Sequence, residues 1–299
     1  MPRIALKIDV DTYRGTREGA LRLAGLLEKV GVKASFLFSL GPDHTGRALK
    51  RVFRRGFLGK VKRTSVLEHY GLKTLMYGVL LPGPQIGKRC AGEMRGIAAG
   101  GFEVGVHTWD HVRWQDGVAT ASEPWTRREL TRARDQFAEV FGHFPLLHGA
   151  AGWQMNAYVP QLQQELGFRL ASDTRGSTPF LPQLAHGLGR VPQLPTTLPT
   201  LDELIGRPDL HGAGPVEHLL ALTAAATGHD QVFTLHAELE GQKLAPVFEQ
   251  LLAGWRAQGH TFATMGDYHA TLDRDTLPSY PVTWGEIPGR SGELIVQPD

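Results

Sequence analysis

With one cysteine in 299 residues, Cys90 has no intramolecular partner, so no disulfide staples this chain. No apolar run approaches the ~18 residues needed to cross a bilayer. The opening Met1-Pro2-Arg3-Ile4-Ala5-Leu6-Lys7 shows neither an apolar h-region nor a small-residue cleavage site. These absences lead us to expect a cytoplasmic protein, at most peripherally attached to a membrane. Charge of either sign is scarce in excess: 32 Lys and Arg against 30 Asp and Glu leave a net +2, too little to suggest a nucleic-acid partner. With no repeat and no low-complexity linker, residues 1–275 are expected to form one catalytic domain. Residues 276–299, rich in Pro and Gly, are expected to be an irregular tail.

What is present alternates between two periods. Ile4 to Val10 has a β-type pattern, and residues 16–30 place Leu23, Leu26, Leu27 and Val30 at helical spacing before a stop at Gly31. Ala34–Leu40 and Phe102–His107 read as the second and third strands. A helix is expected over Pro124–Phe141, entered through Ser122-Glu123-Pro124 and left at Gly142. Further β-type segments fall near Pro145–His148, Arg169–Ser172, Gln231–Leu235 and Thr261–Met265, with helical patterns over about 156–166, 216–227 and 244–257. Repeated β-then-α units, seven or so, predict an α/β fold with a mostly parallel sheet forming a closed or nearly closed barrel.

Chemistry gathers where strands end. Alternation along the first strand puts Asp9 and Asp11 on one face, where they repel unless a positive group lies beside them. The stretch His107-Thr108-Trp109-Asp110-His111 follows the third strand directly, and imidazoles four apart can meet on one side of a helical turn. Either feature alone has a bland reading, as an acidic turn or a surface helix with two of the thirteen histidines. Together they occupy the C-terminal rim of a parallel sheet, where catalytic groups collect. Asp11, His107 and His111 would leave coordination positions open, as a catalytic metal site requires. Asp9, unligated on the same face, would then take a proton from a water acidified by the ion. Thr234-Leu235-His236 ends another strand, making His236 a candidate general acid, with Asp173 placed to tune it.

Asp9-x-Asp11, His107-Thr108-x-x-His111 and Leu235-His236 resemble, in order and context, the polysaccharide deacetylase superfamily (NodB homology, carbohydrate esterase family four). The resemblance implies a distorted (β/α) barrel of about seven parallel strands and a metal-dependent hydrolase with Asp9 as base, Asp11, His107 and His111 as ligands and His236 as acid. The family's arginine–x–proline–x–glycine segment, which braces the base, is replaced here by His148-Gly149-Ala150-Ala151-Gly152. Arg175 is the candidate substitute. Lys7-Ile8-Asp9-Val10-Asp11-Thr12, His148 to Trp153, and Ser172-Asp173-Thr174-Arg175-Gly176 resemble more closely one branch, the 4-deoxy-4-formamido-L-arabinose-phosphoundecaprenol deformylases. That branch implies an undecaprenyl phosphate-linked sugar as partner, a place in lipid A modification and polymyxin resistance, and substrate-binding or tuning roles for His148, Trp153, Asp173 and Arg175. Zinc, cobalt, manganese and nickel all accept the ligand set.

Residues 41–88 form an insertion after the second strand. Between Asp43 and Glu68 it carries eight basic residues and no acidic one. A helical wheel separates Leu49, Val52, Phe53 and Phe57 from Lys50, Arg51, Arg54 and Arg55, the pattern of a helix lying on an anionic inner-leaflet surface. Three other readings use the same residues. One is a deacetylase of another N-acylated sugar. A second is a non-haem iron oxygenase, which leaves Asp9 and His236 without a task. The third is a sugar- or membrane-binding protein that keeps only the fold. No residue pattern specifies an oligomeric state.

Overall fold

Alternation in the first strand sets the architecture. Ile4, Leu6, Ile8 and Val10 of β1 (Ile4–Val10) join the main hydrophobic cluster on one face, and Ala5 belongs to a second cluster on the other. In this computed structural model, which describes residues 2–48, 71–210, 214–225 and 229–298, every residue of β1 is buried. A parallel strand covered on both faces shows that pattern. Beside β1, in parallel, run β2 (Ser35–Ser39), β3 (Glu103–Thr108), β4 (Leu147–His148) and β5 (Leu170–Ala171). A short β6 (Leu181–Pro182) lies off this sheet. On the opposite side of β1 stands β7 (Gln231–His236), and β8 (Phe262–Ala263) pairs with its first residues. The result is a half-barrel of seven parallel strands, in keeping with the expected fold class.

Helices fill the crossovers: α1 (Leu21–Lys29), α2 (Ala91–Ala99), α3 (His111–Gly117), α4 (Glu123–Phe141), α5 (Val159–Glu165), α6 (Pro215–Ala225) and α7 (Ala245–Ala257). Apolar stripes such as Leu23 and Leu27 of α1, Met94 and Ile97 of α2, and Phe248, Leu251 and Trp255 of α7 cover the outer face of the sheet. Local chemistry explains the ends of α4. Pro124 occupies its first turn, and Gly142 stops it in the left-handed region at φ 80°. The inner face is narrower, packed by Ala5, Leu37, Leu147, Leu170, Leu194, Val232, Met265 and Tyr268. Above this plug, toward the strand C-termini, the inward positions become polar.

The strands do not close the barrel, since β5 and β7 are not paired. An extended strip over residues 191–198 spans the gap. On one side it exchanges hydrogen bonds with Ala171 of β5 (Ala171 N to Pro192 O, 3.0 Å; Leu194 N to Ala171 O, 2.7 Å). On the other, Thr197 N and Leu198 N donate to the Val232 carbonyl of β7.

Two expectations need amendment, and a third falls outside the described residues. Residues 15–20 form a π-helical turn ahead of α1, and within it Gly19 lies so close to the Ala237 carbonyl that a Cβ there would stand 1.9 Å from it. The segment expected to be an irregular tail contains β9 (Ser279–Tyr280), parallel to β6, and a hairpin of β10 (Thr283–Gly285) and β11 (Leu294–Val296). Leu294 and Ile295 are buried, so this segment packs as part of the domain. Finally, Lys50, Arg51, Arg54 and Arg55 of the basic insertion lie outside the described residues. Around them the chain forms short turns at Thr45–Ala48, Leu72–Met76 and Ile86–Arg89. Among the described residues no helix is long and apolar enough to cross a membrane.

The outer cluster should respond to truncation as a close-packed core does. Phe233 of β7 is fully buried with its ring edge-to-face against Trp255 at 5.2 Å. Phe233→Ala should cost about 3–5 kcal/mol in urea unfolding, whereas the exposed Tyr158→Ala should stay within about 0.5 kcal/mol of the parent.

Candidate metal centre

Three chain segments build the site, and each is aimed by its own local device. At the end of β1 the chain turns under a buried carboxylate. Glu238 Oε1 accepts hydrogen bonds from Asp11 N (3.1 Å), Thr12 N (2.9 Å) and Thr12 Oγ1 (2.8 Å). Gly15 leaves room for this clamp, since a Cβ there would fall 1.8 Å from the same oxygen. Burial and the nearby Asp11 carboxylate push Glu238 up to about 8.

His107 is an inward residue of β3. The carbonyl of Gly149 can only accept, so the 2.7 Å contact to His107 Nδ1 makes that nitrogen the N–H and leaves Nε2 as the lone-pair atom. His111 is the first residue of α3, launched by Asp110, whose side chain caps the Arg113 amide at 3.1 Å and also receives His44 Nδ1 at 2.6 Å. The two imidazoles therefore do not share a helical turn, as their spacing had suggested. One sits on a strand and the other on the helix that follows, with ring centroids 5.3 Å apart.

Asp11 lies between them. Its Oδ1 is 3.2 Å from His107 Nε2 and its Oδ2 3.4 Å from His111 Nε2, and the three donor atoms all fall within 4.8 Å of one another. Donors bound at about 2.0–2.1 Å to one tetrahedral ion stand roughly 3.3 Å apart, so this set fits a divalent cation. The buried Asp11 Oδ1 has no hydrogen-bond donor among the described residues. Burial opposes ionisation of this carboxyl, yet His111 and His107 hold it far below the usual carboxylate range.

Asp9 stands beside the triad without joining it. Its Oδ1 is 3.7 Å from His107 Nδ1 and makes no hydrogen bond among the described residues, while its Oδ2 lies 3.2 Å from the ammonium of Lys7, a fully buried lysine on the same strand face. Lys7 Nζ also donates to the Ser172 carbonyl at 3.2 Å. The expected brace, Arg175, is elsewhere: it binds Glu203 at 2.6 Å and the carbonyls of Thr196 and Leu198. The Trp153 ring takes Lys7 at 5.3 Å and Arg175 at 5.0 Å from its centroid, so both cations pack on the indole. The period-2 pattern that exposed Asp9 also held Lys7, and a charge on an inward face was the available signal.

His236 ends β7 and is the register partner of Asp9. Burial lowers its basicity, but the carboxylates of Asp202, Asp11, Glu240 and Asp9 outweigh that and raise it to about 9. Asp202 Oδ1 is 4.0 Å from His236 Nδ1, and Glu240 Oε2 accepts from the His236 amide at 2.7 Å. Asp173, expected to tune His236, instead accepts from His148 Nδ1 (2.8 Å), Ala150 N (2.7 Å), Gln163 Nε2 (2.6 Å) and Gln193 Nε2 (2.9 Å). His148 and Asp173 are fully buried. Glu238, Glu240 and Asp202 escaped the sequence reading, although His236-Ala237-Glu238-Leu239-Glu240 carries its carboxylates at alternate positions.

The chain belongs to the polysaccharide deacetylase family, a family of hydrolases, whose profile matches residues 10–171. Along nearly its whole length it is similar to two proteins named as 4-deoxy-4-formamido-L-arabinose-phosphoundecaprenol deformylases. It is 34% identical to the one from Shewanella sediminis, covering 99% of this chain and 94% of that one. Identity to the one from Wigglesworthia glossinidia brevipalpis is 31%, over 95% and 98%. Among solved structures, a Mycobacterium smegmatis protein described as a polysaccharide deacetylase superposes with TM-score 0.61 at 20% identity, covering 96% of each chain. The chitin deacetylase of Colletotrichum lindemuthianum gives 0.50 at 14%, over 89% and 87%.

The Lys7–Asp9 pair makes a direct prediction. Lys7→Met leaves a buried carboxylate without its cation and should cost about 3–5 kcal/mol in urea unfolding. Adding Asp9→Asn should recover most of that loss. Equal stabilities for the single and double variants would show that the two side chains are not coupled.

Proposed function

We propose that this chain hydrolyses the N-formyl amide of 4-deoxy-4-formamido-L-arabinose carried on undecaprenyl phosphate. Asp11, His107 and His111 hold one divalent cation, Asp9 is the general base and His236 the general acid. The observation that carries this reading is the meeting of the Asp11–His107–His111 triad with a free Asp9 oxygen and His236 on one rim. The full-length similarity to proteins named for this reaction supports the choice of substrate.

A divalent cation in the triad supplies Lewis acidity, acidifying water and polarising the formyl carbonyl. The protein's own groups then divide the proton traffic. Asp9 Oδ1, unencumbered while Lys7 holds Oδ2, takes a proton from water as its oxygen bonds to the formyl carbon. His236 gives a proton to the sugar nitrogen as the C–N bond breaks, releasing formate and the free amine. The carboxylates of Asp202, 4.0 Å from Nδ1, and of Glu240, which accepts from the His236 amide, favour the charged imidazole.

A groove of about 440 Å³ opens beside the turn that follows Asp11, lined by Tyr13, Arg14, Arg17, Glu18, Lys73 and Tyr77 among others. Its first lining residue is two positions past Asp11, a span of at most ~7 Å. Cations there suit the phosphodiester of a lipid-linked sugar. The enzyme works, on this reading, at the anionic cytoplasmic face of the inner membrane. Its aminoarabinose product serves lipid A modification and polymyxin resistance.

Purified protein loaded with zinc, cobalt, manganese or nickel should release formate from the formylated lipid, release less acid from its N-acetyl analogue, and lose activity to a chelator. Asp9→Asn should bind metal yet turn over at least about 100-fold more slowly. Full activity in that variant would remove Asp9 as the base. Because His236 must be protonated to act, kcat/KM should fall as pH rises through about 9. The fall should begin somewhat lower when a cation sits on Asp11, one of the charges that raise it. A flat alkaline profile would rule out His236 as the acid.

A further inference from the structure

We infer that Asp173 is a positioning residue for the metal centre, acting on the ligand His107 through the single peptide unit that joins Gly149 to Ala150. The inference rests on the metal-site reading above and adds a residue to it.

A trans peptide group is planar, with its C=O and N–H pointing in opposite directions, and the described residues contain no cis peptide bond. The N–H of the Gly149–Ala150 unit donates to Asp173 Oδ1 at 2.7 Å. The C=O of the same unit accepts from His107 Nδ1, also at 2.7 Å. Carboxylate, peptide and imidazole therefore form one series, with the lone-pair nitrogen of His107 at its far end, 3.2 Å from Asp11. A negative charge at the N–H end polarises the peptide and makes its carbonyl a stronger acceptor. That in turn makes the imidazole a better electron donor to a cation. Metal-binding histidines commonly hand their second N–H to a carboxylate or to a carbonyl; here the two stand in tandem.

Packing keeps the unit from rotating. Gly149 N donates to the Val106 carbonyl at 2.9 Å, and a Cβ on Gly149 would stand 2.3 Å from Leu37 Cδ2 and 3.0 Å from Lys7 Cε. Asp173 is as firmly held. His148, Gln163 and Gln193 donate to its carboxylate, its own amide donates to Gln193 Oε1 at 3.0 Å, and none of these side chains is exposed. So many donors converging on one buried acid maintain a charge where a neutral residue would serve to tether a loop.

The test is zinc affinity, measured by chelator competition on the metal-stripped full chain. Asp173→Asn keeps an oxygen for the Ala150 amide and removes the charge, and should weaken zinc binding about 10–100-fold. Ala150→Pro is the second variant. Ala150 has φ −66°, which proline adopts, so this change deletes the linking N–H, and the ring carbon that replaces the hydrogen displaces the Asp173 carboxylate from the peptide. It should weaken zinc binding to a similar extent. In the metal-free protein, the ¹⁵N shifts of His107 should show a smaller share of the Nδ1–H tautomer in either variant. An affinity within two-fold of the parent in folded Asp173→Asn, or in Ala150→Pro if the first does not fold, overturns the inference. If the parent binds zinc no more tightly than His107→Ala does, the metal site itself falls, and this inference with it.

Discussion

Carboxylates packed close together out of water repel one another and resist ionisation, and this domain collects Asp9, Asp11, Glu238 and Glu240 at the adjacent ends of β1 and β7. Much of the remaining structure answers that constraint. Lys7 is spent inside the barrel on Asp9, backbone amides of the turn after β1 converge on Glu238, and two imidazoles flank Asp11. The carboxyls with the fewest cations beside them, Glu238 and Glu240, are those that burial shifts upward, to about 8 and about 7. Asp11, flanked by His107 and His111, stays ionised. One end of a half-barrel thus holds both anionic and protonatable oxygens within a few residues of one another.

Much of this was legible in the chain, because period and position are local properties. Alternation in Ile4–Val10 assigned the inward face that carries Lys7, Asp9 and, just beyond it, Asp11. The helical stripe of α7 and the stop at Gly142 appear where expected. Strand ends located His107 and His236. What could not be read depends on contacts between distant segments. Nothing in Asp173-Thr174-Arg175 says that the acid turns toward His148 and Ala150, or that the arginine turns away toward Glu203. Nor does the spacing of His107 and His111 reveal that a capping aspartate starts the helix between them. The short strands after residue 276 were hidden because two- and three-residue pairings leave no periodic trace.

Trp153 joins the surroundings of Asp9 to those of Glu203. The indole sits at φ 54°, an unusual conformation for a bulky residue, and donates to Thr196 Oγ1 at 3.1 Å. Lys7, Arg175 and Arg290 all pack on its ring. The guanidinium of Arg175 is tied into the packing around Glu203, and the shorter ammonium of Lys7 attends Asp9 from within β1. A strand position does this more rigidly than a loop position would, since the pleat fixes where the side chain leaves the backbone.

The strip over 191–198 has a consequence for how such a barrel can vary. A ladder strand that gains one residue slips register and turns its whole inward set outward. This seam is bound to β5 and β7 by a handful of main-chain bonds at separate points and can lengthen between them. It still covers both sheet edges, which otherwise would offer unpaired backbone to other chains. A length change in this wall would therefore spare the strand alignment but move Gln193, which holds Asp173, and Thr196, which holds Trp153 and Arg175.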